Sequence, residues 1–430
     1  MLEKMKYIYF IAVAVMMYYF LNEYIDVGVY VTYRHAFALV LLFSAVFLFL
    51  CKPNIARGVV VVRDACVYSA PLLVTTVVSL FIWFVGMVDT SVISRGLSSS
   101  FIYMNMLSFA LGTGALLYIF GERGIWYNLI AILSANILMI LTVIAQNGFG
   151  SYFSELITLI VTFAGETGEI IVQAEIHELA FCLGAYLIYM LYKPRKNAAY
   201  FILLALTLFC FLSAFKRIAM VAIAVALILG LILKFIARYS TKTASGLAFF
   251  LTLAMILVLI GYVAIIKMGA FSLLEEAGID TSGRVKIYKA VDEFYTFDPG
   301  FLGNGIGFLT YRLNTDMSIG VAAIHNDFLQ HYIDLGFWGY IIWLLSLTLV
   351  RLWYFGRKGK TDNAIITFML TVYLIVVSST DNTMSYPLLT GVLAILMMGT
   401  GFGGNVRHTE KKIFGSVSPE NAEEESESLL

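Results

Sequence analysis

The sequence predicts an all-α, polytopic membrane protein with about twelve transmembrane helices and one large extracytoplasmic loop between the ninth and tenth. Three observations carry that prediction. Hydrophobic residues fill 60% of the 430 positions and mean hydropathy is +0.88, more apolar surface than a water-soluble fold can hide. Charged residues are only 13%, about half the share of an ordinary soluble domain. The apolar residues also fall in blocks long enough to cross about 30 Å of hydrocarbon, with short breaks of Lys, Arg, Gly, Asn or Pro between them.

The first block, near 7–22, follows Lys4 and Lys6. No small-residue cleavage pattern comes after it, so it reads as a span and not as a removed leader. Further spans fall near 35–51, 66–88, 101–120 and 125–146, with Lys52, Arg57, Arg63 and Arg123 in or beside the breaks. The stretch from 146 to 175 has no Lys or Arg; Glu155, Glu166, Glu169 and Glu175 surround an apolar run at 156–163, the pattern of a re-entrant or interfacial helix. Spans resume near 176–192, 198–214, 217–236 and 246–267, and after the long loop near 330–350, 363–380 and 386–402.

An even count puts both termini on one side. With that side cytoplasmic, 19 of the 28 basic residues fall in cytoplasmic segments, and the short outer loops hold only Arg34, Arg95, Lys216 and Arg217. The positive-inside rule favours this orientation. Residues 1–402 then form one transmembrane domain, with the outer loop at about 268–326. Residues 403–430 turn polar and end in Glu423-Glu424-Glu425-Ser426-Glu427, the composition of a disordered acidic cytoplasmic tail.

Formal net charge is zero, which offers no global field for nucleic acid. Cys51, Cys66, Cys182 and Cys210 lie in or beside apolar segments without CxxC spacing or a neighbouring His, so neither a disulfide framework nor a zinc site is indicated. No Asp-x-Asp opens an outer loop to hold a metal, and no nucleotide-sugar motif occurs. The reading therefore includes no metal and no cofactor.

Ionisable residues gather on the long loop and on adjoining helix ends. Ser282-Gly283-Arg284 opens an amphipathic helix with Ile287, Val291 and Phe294 on one face. Residues 298–307 are glycine-rich, which permits tight turns and close approach of backbone N–H groups to a ligand. The loop ends in His325-Asn326-Asp327, and Asp327, His331 and Asp334 form a polar stripe from which His325 stands apart. Polar residues at a helix end in the interface also serve as plain anchors, and that reading suits His331. Lys216 and Arg217 open one span at its outer end, and Glu175, His177 and Glu178 open another. Charges at such depth mark a substrate path or a paired site, or, for Lys216 and Arg217, contact with lipid headgroups.

Taken together, Leu212-Ser213-Ala214-Phe215-Lys216-Arg217, the Arg284 loop helix, Phe301-Leu302-Gly303-Asn304-Gly305-Ile306-Gly307, and His325-Asn326-Asp327-Phe328-Leu329 followed by Leu335-Gly336-Phe337-Trp338-Gly339 resemble the bacterial O-antigen ligase and Wzy-type polysaccharide polymerase superfamily. The resemblance covers roughly residues 175 to 350. It implies a metal-independent glycosyltransferase of the bacterial cytoplasmic membrane that takes undecaprenyl-diphosphate-linked oligosaccharide as donor. A chain-length regulator and a flippase are the implied protein partners.

Such chemistry needs cations for the departing diphosphate and a base for the acceptor hydroxyl. Arg217 and Arg284 are the candidates for the first task, with Lys216 and Arg312 behind them. His325 is the candidate base, since imidazole titrates near neutral pH. Glu175, Glu178 or Asp327 are alternatives for the base or for its orienting partner, and the resemblance adds His177 to the site. A polymerase extending lipid-linked repeat units is the leading reading, and a ligase moving finished glycan to an acceptor is its nearest rival. A transporter such as a lipid-linked oligosaccharide flippase predicts repeated halves and midplane charges, whereas here the ionisable residues collect at one face.

Overall fold

The computed structural model describes residues 30–414 apart from 52, 87–89, 163–167, 175–176, 279–282, 316–323 and 358–360. The first predicted span and the chain after 414 lie outside them. Among the described residues every regular element is helical. Helix α1 is Tyr30–Cys51, α2 Ile55–Tyr68, α3 Ala70–Val85, α4 Thr90–Phe120 and α5 Arg123–Asn147; α6 is Phe149–Thr162 and α7 Glu169–Ala174. Helix α8 is His177–Tyr192, α9 Ala198–Ser213, α10 Arg217–Ala237 and α11 Thr241–Lys267. In the long loop α12 is Ala270–Glu276, α13 Arg284–Val291 and α14 Phe308–Thr315; after it come α15 (Asp327–Arg357), α16 (Thr361–Ser378), α17 (Pro387–Gly399) and α18 (Phe402–Phe414).

Five of these helices are long and apolar enough to cross a membrane, or seven if each of two bent pairs is one span. Phe84 is 85% exposed and Val161 77%, so the outer surface carries side chains suited to lipid. The chain is a multi-pass membrane protein by these features. The predicted spans near 125–146, 217–236 and 246–267 coincide with α5, α10 and α11, while those near 176–192 and 198–214 coincide with the shorter apolar helices α8 and α9. The predicted helix at 156–163 is part of α6, whose inner face buries Tyr152, Leu156 and Leu159.

Both bends have local causes. Helices α2 and α3 meet at 50°, where Pro71 removes a backbone N–H and Leu72 bonds back to Ser69. The carbonyl of Tyr68 is taken by Arg351, whose Nε and Nη2 donate to it at 2.9 and 2.6 Å and whose guanidinium lies over the Tyr68 ring. Arg351, counted from sequence among the cytoplasmic basic residues, is thus an interior residue that completes a helix end. At the second bend α17 and α18 meet at 61° around Gly401, which has φ 75°. Residues 403–414, assigned from sequence to the tail, are helical: Phe402, Val406 and Thr409 give α18 a buried face, and the helix runs to Phe414.

Helices α16 and α17 are the interior of the bundle, buried along nearly their whole length. Against them α10 packs antiparallel to α16. Gly230 abuts Met369, where a Cβ would overlap the thioether. Lys234 near the end of α10 donates to the carbonyl of Tyr192, whose hydroxyl donates to Asp362 at the start of α16 (2.9 Å). The start of α10, with Lys216 and Arg217, consequently lies at the end of the bundle where α16 stops and the turn at 379–386 begins.

Candidate functional site

The turn joining α16 to α17 is the meeting point of the predicted site residues. Arg284, first residue of α13, donates from Nη2 to the carbonyl of Thr380 at 3.0 Å. The next residue, Asp381, faces His325: Nδ1 stands 3.5 Å from Oδ1. Two candidates far apart in sequence are therefore anchored on consecutive residues of one turn.

His325 is held in an unusual way. Its φ of 50° lies in the left-handed region, which a side chain with a Cβ rarely adopts and which the surroundings must enforce. The imidazole is 53% exposed while the Asp381 side chain is 13% exposed, so one nitrogen faces a sheltered carboxylate and the ring remains open to a ligand. Asp381 Oδ1 also accepts from the hydroxyl of Tyr386 (3.1 Å) and from the backbone N–H of Asn382 (2.8 Å). Burial, and next the Asp381 charge, raises the Tyr386 phenol above its ordinary range, so it stays protonated and acts as a donor. Its ring stacks on Phe181 of α8.

The same α8 supplies Glu178, buried and accepting from the first-turn N–H of Leu388 at 3.3 Å. A carboxylate there suits the positive end of α17. Glu178 thus has a bond within the helix packing, whatever else it does. The side chain of His177 and all of Glu175 lie outside the described residues.

Arg217 is exposed at the N-terminus of α10, after Lys216 and after Phe215, whose φ is 44°. It shares the end of the bundle with the 379–386 turn. Arg312 is set apart: its guanidinium lies 5.3 Å from the ring centroid of Phe294, within the loop's own packing. Asp327 is turned inward and 1% exposed, accepting from the N–H of Met384 (2.9 Å) and the hydroxyl of Thr383 (3.4 Å). It ties α15 to the turn beneath His325 and does not face outward. His331 is also interior, bonded to the Asp327 carbonyl and stacked on Trp343 with centroids 4.0 Å apart, so it is a core residue and not a surface anchor.

The glycine-rich segment departs from its predicted use. Its N–H groups meet neighbouring helices: those of Asn304 and Gly305 bond the Asp334 carbonyl, those of Gly307 and the following Leu309 bond the Asp334 carboxylate (3.1 and 3.2 Å), and that of Ile306 bonds the Ser79 hydroxyl of α3. Helix α15 is broken at Gly336, with φ 71°, and Phe337 bonds back to Phe301. A Cβ on Gly303 or on Gly336 would overlap the backbone of the facing strand of chain. The glycines serve a close backbone-to-backbone fit that fixes the loop on the bundle. The loop helix likewise buries Val285, Tyr288 and Val291, a face offset from the Ile287, Val291 and Phe294 set expected.

Sequence reasoning missed Asp381, Tyr386 and Asn382. The available signal was a polar run, Thr380-Asp381-Asn382-Thr383, between two spans on the face predicted to carry Arg284 and His325. Among the described residues no group of three or more His, Cys, Asp or Glu is placed to hold a metal ion.

Residues 201–344 match the family model described as O-antigen ligase, in agreement with membership of the O-antigen ligase and polysaccharide polymerase superfamily. The matched region contains Arg217, Arg284 and His325, and it stops short of Asp381. No curated protein matches the chain.

Proposed function

We propose, starting from that family match, that this chain is a membrane-embedded glycosyltransferase that polymerises undecaprenyl-diphosphate-linked repeat units at the outer face of the cytoplasmic membrane, with both termini inside. The observation that carries the reading is the pairing of Arg284 and His325 on adjacent residues of one turn. A cation and a base, held together at one end of an apolar bundle, are what glycosyl transfer from a lipid diphosphate requires.

With Nδ1 turned to the Asp381 carboxylate, Nε2 is the nitrogen left to serve as the base. It takes the proton of an acceptor sugar hydroxyl as that oxygen bonds to the anomeric carbon of the donor. The bond from that carbon to the diphosphate oxygen breaks, and the growing charge on the diphosphate is met by Arg284 and Arg217, with Lys216 beside them. No metal enters this scheme. Arg312 and Asp327 act at a distance, in loop packing and in supporting the turn.

The ligase reading shares every one of these residues, and the description of the matched family favours keeping it. The two separate in cells lacking the protein. Loss of a polymerase leaves glycan of a single repeat, whereas loss of a ligase leaves long chains still on the carrier lipid. Long carrier-bound chains in the deletion strain would overturn the polymerase assignment.

A further inference from the structure

Asn326 is fully buried beside an imidazole that is half exposed, and every polar atom it has is engaged. Its backbone N–H donates to Asn382 Oδ1 at 3.2 Å, and its carbonyl accepts from Gln330. Its Oδ1 accepts from the N–H of Leu329 and caps α15 (3.1 Å). The two protons on Nδ2 go to two tyrosine hydroxyls, Tyr288 at 3.0 Å and Tyr262 at 3.2 Å. Tyr262 in turn donates its hydroxyl to the carbonyl of Ser379 at 2.9 Å.

These bonds join α11, α13, α15 and the 379–386 turn. Tyr288 lies one helical turn from Arg284 on α13, hence on the same face. Tyr262 belongs to α11, and Asn382 and Ser379 flank the Thr380 and Asp381 that receive Arg284 and His325. An N-cap alone needs only an oxygen, which Ser, Thr or Asp supplies equally well. The carboxamide adds two donors, and both are spent on joining α13 and α11 to the residue after His325.

We propose that Asn326 is a positioning residue: its carboxamide holds His325 in the left-handed backbone conformation against Asp381 and fixes the distance between that imidazole and Arg284. The proposal rests on the reading of His325 as the base. Its test reads the imidazole directly, so that it remains decisive if that reading fails.

The experiment compares full-length wild type, Asn326→Ser and Tyr288→Phe in liposomes. Each is treated with diethylpyrocarbonate, and carbethoxylation of each histidine is followed by peptide mass spectrometry. Asn326→Ser keeps the cap and removes the amide; Tyr288→Phe removes one hydroxyl and leaves Asn326 intact. His408, exposed on α18, is the internal reference, and the buried His331 reports whether the fold survives.

Both variants are expected to speed modification of His325 by roughly threefold or more relative to His408 while His331 stays protected, because an imidazole released from Asp381 exposes both ring nitrogens to the reagent. In cells both are expected to lower glycan output by about tenfold or more. Unchanged or slower modification of His325 in Asn326→Ser, with His331 protected, overturns the proposal and leaves Asn326 as a cap. Should Asn326→Ser expose His331, Tyr288→Phe decides alone by the same criterion. Loss of the threefold effect overturns the positioning role, whereas full activity of His325→Ala overturns the assignment of the base.

Discussion

At the residue scale the site depends on pairs, not on single side chains. Among the described residues, the half-exposed imidazole in its left-handed backbone is set against Asp381, and the bonds of Asn326 fix the residue that follows it. Replacing His325, Arg284 or Arg217 by Ala is expected to lower chain extension at least about 100-fold, the usual scale for losing a proton acceptor or a charge partner of the reacting group. Membrane abundance should not change. Near-wild-type activity of all three, read on glycan ladders from complemented deletion cells, defeats the site. Asp381→Asn keeps the shape of the turn and removes its charge, and is expected to cost activity on the same scale while Tyr386→Phe costs less. Arg284 and His325 were legible in the sequence as candidates by their place in the long loop, and the structure brings them to one turn. Asp381 was not, because a single carboxylate in a short turn has no spacing or periodicity to mark it.

Elements hold these residues by two devices, a broken helix and a buried bend. Gly303 and Gly336 bring the loop against α15 at backbone contact, and Asp334 gathers four N–H groups of the loop. Gly336→Ala combines a positive φ with an overlap, so it is expected to destabilise the loop by about 2 kcal/mol or more. Limited proteolysis of the loop at 268–326 measures this; equal cleavage rates for variant and wild type contradict the docking role. Hydropathy located the helices α5, α8, α9, α10 and α11 because each is one uninterrupted apolar block. It joined α2 with α3 less well, predicting one span near 66–88 where the chain bends at Ser69. A bend is decided by which hydrogen bond is missing, here that of Pro71, and by the distant Arg351 that completes the Tyr68 carbonyl. Neither appears in a hydropathy profile. The glycine run was visible, but whether glycine N–H groups meet a ligand or a neighbouring helix depends on a partner 30 residues away.

On the scale of the whole molecule, the bundle joins an apolar body to a polar end that carries the candidate site. Helices α16 and α17 stay inside, α10 and α11 present apolar side chains outward, and Arg284, His325 and Asp381 meet at the turn where α16 ends. This placement suits transfer between two lipid-linked substrates that both lie in the membrane with their sugars outside. Because the diphosphate is met by guanidinium groups in this scheme, addition of a chelator to the purified protein is expected to leave the rate within about twofold of its starting value. Strong inhibition reversed by magnesium contradicts that mechanism.

The central claim is that His325, set against Asp381 and joined to Arg284, removes the proton that starts chain extension. The most direct measurement uses purified full-length protein in liposomes with a synthetic undecaprenyl-diphosphate-linked repeat unit, following product length and released undecaprenyl diphosphate. Wild type should give a ladder of lengthening chains with one carrier released per bond, and His325→Ala should give neither. A ladder of equal rate from His325→Ala, or carrier release by wild type without any chain growth, contradicts the account.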